Sequence, residues 1–275
     1  MGMLSLLLIS IPVGFLGALT GLGGASILIP ALVLFGIPVK EAIASGMVTI
    51  IATSSGSASS YVREGIANVR VAMYLEMFTM IGAIAGARIT TLIPSVYLYF
   101  FFAAFLGTSF LKWGQPLDDD GTSHRSQDRV SRWLELEGSY FDEAKKRIIA
   151  YKVNNALPGG AGMFIAGLAA GMLGIGAGAF KVTVQESILG LPPKVSSTTS
   201  NFIIGMTALA GTSVYLLSGL LNLTLMGPMA VGTTIGALLG GRLLNKIRNR
   251  SLRILFFAIV VFLILQMLYK GIVSI

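Results

Sequence analysis

The stretch "GALTGLGGASILIP" (residues 17–30) lies in an otherwise uninterrupted apolar region, and its reading decides the fold. Four glycines fall within it in quick succession, Gly17, Gly21, Gly23 and Gly24. Each costs up to about 1 kcal/mol against alanine inside a helix, so the run predicts a break between two helical pieces. A second run, "GMLGIGAGAFK" (residues 171–181), sets Gly171, Gly174, Gly176 and Gly178 in the same surroundings.

The surroundings are those of a membrane. Hydrophobic residues make up 54% of the chain, charged residues 12%, and the mean hydropathy is +0.81, far too apolar for an ordinary soluble domain. Apolar stretches run over 3–19, 25–36, 41–62, 70–92 and 95–111, and again over 157–175, 179–190, 195–218, 223–245 and 252–270. The first of them is not preceded by a basic residue and apolar segments continue to the end, so it reads as a retained segment rather than a signal peptide. The second stretch of each set is shorter than the roughly 20 residues a span needs, and it reads as one arm of a broken or re-entrant hairpin.

The two sets are copies of one unit. An ungapped shift of 154 positions lays "GIPVK" (36–40) on "GLPPK" (190–194) and "GAIAGARI" (82–89) on "GALLGGRL" (236–243). It also pairs Tyr61 with Tyr215, Gly65 with Gly219 and Asn68 with Asn222. Loop charge gives their orientation. The loop 242–253 carries Arg242, Lys246, Arg248, Arg250 and Arg253 without an acid, whereas its counterpart at 88–96 has only Arg88. In the first half the basic residues sit in the other loop class, "REGIANVR" (63–70), matched by the uncharged "SGLLNLT" (218–224). Basic loops face the cytoplasm, so the swap predicts oppositely oriented copies. The expected fold is an all-α polytopic membrane protein with two five-segment repeats in inverted orientation, each with a Gly-broken or re-entrant helical hairpin. The expected division is residues 1–111, a polar cytoplasmic linker at 112–152, and residues 153–275. Within the linker, "WLELEGSYFDEAKKRIIAYKV" (133–153) alternates well enough for a β-hairpin; it reads as a connector or as a partner-binding module.

Composition removes several functions. There is no cysteine, and the one histidine, His124, is in the polar linker, so thiol chemistry, haem ligation and a Cys/His zinc site find no residues, and no cofactor or metal is called for. The linker's eight basic and eight acidic side chains cancel, leaving the formal +8 in the membrane halves, where it reads as topology and an anionic cargo rather than nucleic-acid binding. No Ser/His, paired-aspartate or metal-ligand arrangement lies in the apolar segments, which argues against an enzyme.

Broken helices at matched places expose backbone N–H groups and positive helix ends near the bilayer midplane, a site suited to an anion. The candidate backbone donors are at Gly23, Gly24, Gly176 and Gly178. Lys181 follows the second break directly, where the first copy has Ile27. An intramembrane cation costs several kcal/mol unless it is partnered or hydrated, so the asymmetry suggests use, as the charge of an anion site or as a structural partner of Glu186, Glu76 or the backbone. Gln185 lies one turn on and shares its face. The third stretch of each half is rich in hydroxyls, among which Ser45, Thr199 and the neighbouring Asn201 lie nearest the helix starts and are candidate hydrogen-bond donors to an oxyanion. Glu76 and Glu186 are candidate coupling groups, Glu76 equally suited to stabilising a helix N-terminus. The pairs Gly82/Gly86 and Gly236/Gly240 read as close helix packing.

At "GLGGASILIPALVLFGIPVKEAIASGMVTIIATSSGSASSYVREGIANVR" (21–70) and "GIGAGAFKVTVQESILGLPPKVSSTTSNFIIGMTALAGTSVYLLSG" (174–219) the chain resembles the TauE/SafE sulfite exporter family, the TSUP transporters. The resemblance covers both halves and is most specific at "LVLFGIPVKEAIASG" and "TSNFIIG". It implies a secondary transporter of small sulfur-containing anions such as sulfite, thiosulfate or an organosulfonate, working as an exporter in the cell (plasma) membrane. Two alternatives stand beside it, an anion channel and a proton-coupled importer of small organic anions. Where the family often has three consecutive glycines, this chain has Ala25 and Ala177 interrupting the runs.

Overall fold

The computed structural model describes residues 3–20, 24–63, 68–108, 127–142, 146–244 and 249–274. The first half contributes α1 (Met3–Thr20), α2 (Gly24–Leu34), α3 (Val39–Arg63), α4 (Val69–Leu92) and α5 (Ser95–Thr108). A short helix α6 (Arg129–Trp133) and strands β1 (Glu137–Asp142) and β2 (Arg147–Lys152) follow. The second half consists of α7 (Ala156–Leu173), α8 (Gly178–Ser187), α9 (Pro193–Leu217), α10 (Leu223–Leu244) and α11 (Asn249–Val273). The 154-residue offset recurs in the elements themselves: Gly24 and Gly178, Val39 and Pro193, Arg63 and Leu217, Val69 and Leu223, and Ser95 and Asn249 are matching helix ends.

Apart from the β1–β2 hairpin the described elements are helices, consistent with an all-α membrane protein. Among the described residues α4, α7 and α9 are long and apolar enough to cross a bilayer, and parts of α1, α2, α5, α10 and α11 form shorter apolar helices. On α4, Met73, Met77, Ile81 and Ile84 point outward while Leu75, Glu76, Thr79, Ala83 and Ala87 are buried, so an apolar stripe meets lipid and the small and polar face meets protein.

The second glycine run breaks the chain as its composition predicts. Gly174 (φ +66°) ends α7 with its N–H on the Ala170 carbonyl at 2.9 Å, and Gly176 (φ +71°) continues the left-handed turn. Ala177 (φ +51°) opens α8 in the same conformation, which L-alanine adopts only at a cost of about 1 kcal/mol or more. A methyl group on Gly174 would come within 2.5 Å of the Ile43 carbonyl oxygen, so the break is pressed against α3. The returning α8 lies antiparallel to α7, with Val184 beside Gly162 and Leu189 beside Gly159. At the first run, Gly21 and Gly23 lie outside the described residues, and α2 resumes at Gly24.

The halves interlock. Helix α4 packs on α7 and α9, and its counterpart α10 packs on α1 and α3. Glycines allow the first contact: an added methyl would lie 2.2 Å from the Phe164 carbonyl oxygen at Gly82, 2.1 Å from that of Leu168 at Gly86 and 2.1 Å from that of Ala83 at Gly171. Across the molecule Gly14 meets the Thr233 carbonyl and Gly236 that of Ile11 in the same way. Helices α3 and α9 lie side by side antiparallel, with Ser54 against Gly205 and Met47 against Gly211.

The hairpin is part of this body. Tyr140 and Tyr151, with Leu136 and Val153, pack on Val71 and Leu75 of α4, Ala156 of α7, Leu189 after α8 and Val195 of α9. Asn68 ties it down: its Oδ1 accepts the Val71 N–H at 3.1 Å as the cap of α4, and its Nδ2 donates to the Glu137 carbonyl at 3.2 Å and the Tyr151 hydroxyl at 3.0 Å. Asp128 caps α6. Burial acts to raise its carboxyl pKa, but hydrogen bonds from the Ser131 hydroxyl and from the N–H groups of Ser131, Ala156 and Asn155 together hold it below the usual range.

Candidate functional site

Helix α8 places Lys181 three residues after its start, close to the break and well inside the protein. The side chain is fully buried, and its Nζ donates to Thr207 Oγ1 of α9 at 2.9 Å. The Thr207 hydroxyl shares its proton between the Ile203 carbonyl at 2.8 Å and Thr79 Oγ1 of α4 at 3.2 Å. Thr79 in turn donates to the backbone carbonyl of Glu76 at 3.0 Å. Three helices from both halves thus meet at one hydroxyl. Lys181 and Glu76 are not in direct ion-pair contact, yet they attract each other electrostatically, and the buried Glu76 Oε1 has no hydrogen-bond partner among the described residues. The expected alternative for Glu76, stabilisation of a helix start, does not fit its place: α4 begins at Val69 and is capped by Asn68, leaving Glu76 beyond the first turn.

One turn beyond Lys181 on the same face, Gln185 is also fully buried, and neither end of its amide has a hydrogen-bond partner among the described residues. An amide so placed costs about 1–3 kcal/mol. The first turn of α8 adds N–H groups that have no i−4 carbonyl, and Ala177 supplies no side-chain cap. An ammonium, a free amide and a helix N-terminus on one short helix are the donors that an oxyanion requires. The symmetry-related place, where α2 and α3 meet α10, has nothing comparable: the positions matching Lys181, Gln185 and Glu76 are Ile27, Ala31 and Ala230, and only Thr53 and Thr233 keep the hydroxyls.

The other expected site residues divide. Ser45 is buried on α3 with an unpartnered Oγ, and its neighbour Gly46 lies against Ile29 and the Gly174 carbonyl at the break. Thr199 is buried but occupied: its Oγ1 accepts the Asn68 N–H at 3.2 Å, joining α9 to the cap of α4. Asn201 is half-buried on α9. Gly176 and Gly178 face Ile204, and the Gly178 carbonyl accepts the Ser200 hydroxyl at 3.4 Å. Gly24 is buried beside Gly14 and Thr233, on the side of the molecule where α1 meets α10; Gly23 lies outside the described residues. Glu186 is half-buried on α8, about 140° round the helix from Lys181 at 100° per residue. Thr79 was not legible as a site residue, because only the packing of α4 on α9 brings it to Thr207. No group of residues able to hold a metal ion occurs among the described residues.

A bundle of interlocked apolar helices with a polar cluster enclosed between its halves is the architecture of a membrane transporter. The chain belongs to the Sulfite exporter TauE/SafE family, whose sequence signature matches residues 6–267. It is 23% identical over its whole length to the whole of the probable membrane transporter protein YunE of Bacillus subtilis (strain 168). It is 26% identical to the probable membrane transporter protein YdhB of the same organism, over 88% of this chain and 89% of that one. A shorter likeness, 30% identity over 81 residues, links it to the probable membrane transporter protein ORF9 of a Sinorhizobium species, covering 30% of this chain and 31% of that one. No solved structure matches the chain. The names of the family and of these relatives indicate a membrane transporter rather than an enzyme.

Proposed function

We propose that the protein carries a small sulfur-containing oxyanion, such as sulfite, thiosulfate or an organosulfonate, outward across the plasma membrane, and that the α8 face is its binding site. The observation that supports this most is the fully buried ammonium of Lys181 beside the unpartnered amide of Gln185. Lys181 matches the charge, Gln185 and the first N–H groups of α8 donate hydrogen bonds, and Ser45 adds a hydroxyl from α3. An inside-negative potential drives an anion out by about 2.3 kcal/mol per charge for each 100 mV. The test is thermal stabilisation of the purified protein by sulfite, thiosulfate, sulfate, taurine, sulfoacetate, phosphate and acetate. Selective stabilisation by a sulfur oxyanion is the expected result; an equal response to acetate and phosphate would sink the cargo assignment. Saturable counterflow in vesicles would separate a carrier from a channel.

Inverted repeats make this site the centre of an alternating-access carrier. The antiparallel contact between the equivalent helices α3 and α9 supports inversion, as does the exchange of basic residues between matching loops. Cysteines introduced at the equivalent positions Ser95 and Asn249 are therefore expected to react with an impermeant thiol reagent from opposite sides of the membrane. Labelling from one side only would make the repeats parallel.

A further inference from the structure

We propose that Glu76 is a proton carrier linked to this site: an anion arriving beside Lys181 draws a proton onto the Glu76 carboxylate, and anion and proton cross together. The inference rests on the anion-binding reading of Lys181. Glu76 is enclosed with an unpartnered carboxylate oxygen, and Lys181 is the charge that acts on it. The elements around it carry the following other ionisable groups. Helix α7 has none; α8 adds Glu186; α9 has Lys194 in its first turn and Tyr215, whose hydroxyl is bonded to the Gly171 carbonyl at 2.6 Å. Helix α3 has Glu41, Tyr61, Arg63 and Lys40, the last donating to the Thr91 carbonyl at the far end of α4. At the near end of α4, Arg70 is paired with Glu135 at 2.6 Å, and Tyr74 donates to the Ala156 carbonyl at 3.0 Å.

Without an anion, Lys181 and Glu76 balance each other through space, while the hydroxyls of Thr207 and Thr79 lead from Lys181 to the Glu76 backbone carbonyl. An anion accepting hydrogen bonds from Lys181 leaves the Glu76 carboxylate as a surplus negative charge in a region of low dielectric, where a lone charge is costly. Taking a proton from water onto the carboxylate oxygen, with hydroxide left to the buffer, removes that surplus charge, fully for a monovalent anion and by one unit for a divalent one; release of the anion returns the proton. The Thr207 and Thr79 hydroxyls turn to follow the change, since each rotates between donor and acceptor roles. The asymmetry of the repeats agrees: Lys181 and Glu76 are replaced together, by Ile27 and Ala230, at the symmetry-related place between α2 and α10. A divalent oxyanion carried with a single proton keeps one net negative charge and still leaves down the membrane potential, whereas a monovalent one crosses as a neutral pair that follows the pH gradient.

The experiment adds thiosulfate, which has no titrating group near neutral pH, to the purified protein in weakly buffered solution with a pH-indicator dye, and follows binding separately by thermal shift. The expected result is uptake of a proton for each anion bound by the wild type, and binding without uptake by Glu76→Gln. Binding without uptake in the wild type, or uptake that survives Glu76→Gln, overturns the proposal and leaves the anion site standing. No thermal response to thiosulfate or to any other anion of the panel removes the anion site and this proposal with it. Should Glu76→Gln not fold, infrared difference spectra of wild-type protein with glutamate isotope-labelled at its side-chain carboxyl carbon decide the matter. A protonated-carboxyl band that appears on binding, moves with the label and persists in Glu186→Gln supports Glu76; its absence, or its loss in Glu186→Gln, overturns the assignment.

Discussion

Gly86→Ala is expected to cost about 3 kcal/mol or more of stability, toward the upper end of what overpacking does to a protein interior. The added carbon would lie 2.1 Å from the Leu168 carbonyl oxygen and 2.9 Å from the Met172 nitrogen, both backbone atoms of α7. Neither can swing aside as a side chain would, so α4 and α7 must part. Parting them opens the contacts of Gly82 and Gly171 as well, because these lie along the same seam. Gly227→Ala on α10 is the matched control: nothing lies within 4 Å of the new methyl group, and a helix gains up to about 1 kcal/mol from the exchange. Thermal midpoints of the two purified variants, read with their elution profiles, check the pair. Equal midpoints would mean that the seam yields far more easily than backbone contact implies.

Lys181→Met should have its large effect on binding. Removing the ammonium removes the one positive charge of the α8 face, and thiosulfate affinity is expected to fall at least about 100-fold, roughly 2.7 kcal/mol. Stability is expected to fall, because methionine fills the volume of the lysine stem but leaves the buried Glu76 carboxylate without its counter-charge, and breaking a buried pair from one side costs about 3–5 kcal/mol. Titration of the anion against thermal midpoint measures both quantities in one series. A variant that is folded and keeps wild-type affinity takes Lys181 out of the site.

Much of the architecture was legible because it repeats. The motifs that pair "GIPVK" with "GLPPK" and "GAIAGARI" with "GALLGGRL" belong to helix ends and seams whose spacing is shared by both halves. The Gly174–Gly178 break could be read because the conformations it needs are those glycine favours; Ala177, left-handed without being glycine, marks the place where propensity alone fails. Gly82 and Gly86 could be read as packing residues, but their partner helix could not. Lys181 stood out through the cost of its position, and Gln185 through its spacing from Lys181. Thr79 and Thr207 were illegible as partners of that lysine because their meeting depends on α4 of one half crossing α9 of the other, a relation with no local signature. The docking of the hairpin through Asn68 and Tyr151 was hidden for the same reason, since alternation tells which face of a strand is apolar and not what it will cover.

The seam between α1 and α10 bears on how the protein is made. Helix α1 is made well before its partner: the residues that receive Gly14 and Ile11, namely Thr233 and Gly236, follow them by about 220 positions in the chain. Through that interval the close-packing face of α1 has lipid or an attendant insertion factor against it. Helix α4 waits a shorter time, for α7. Nascent chains arrested before α10 thus leave that face of α1 without its partner, and closure of the α1–α10 seam waits for the second half to be made.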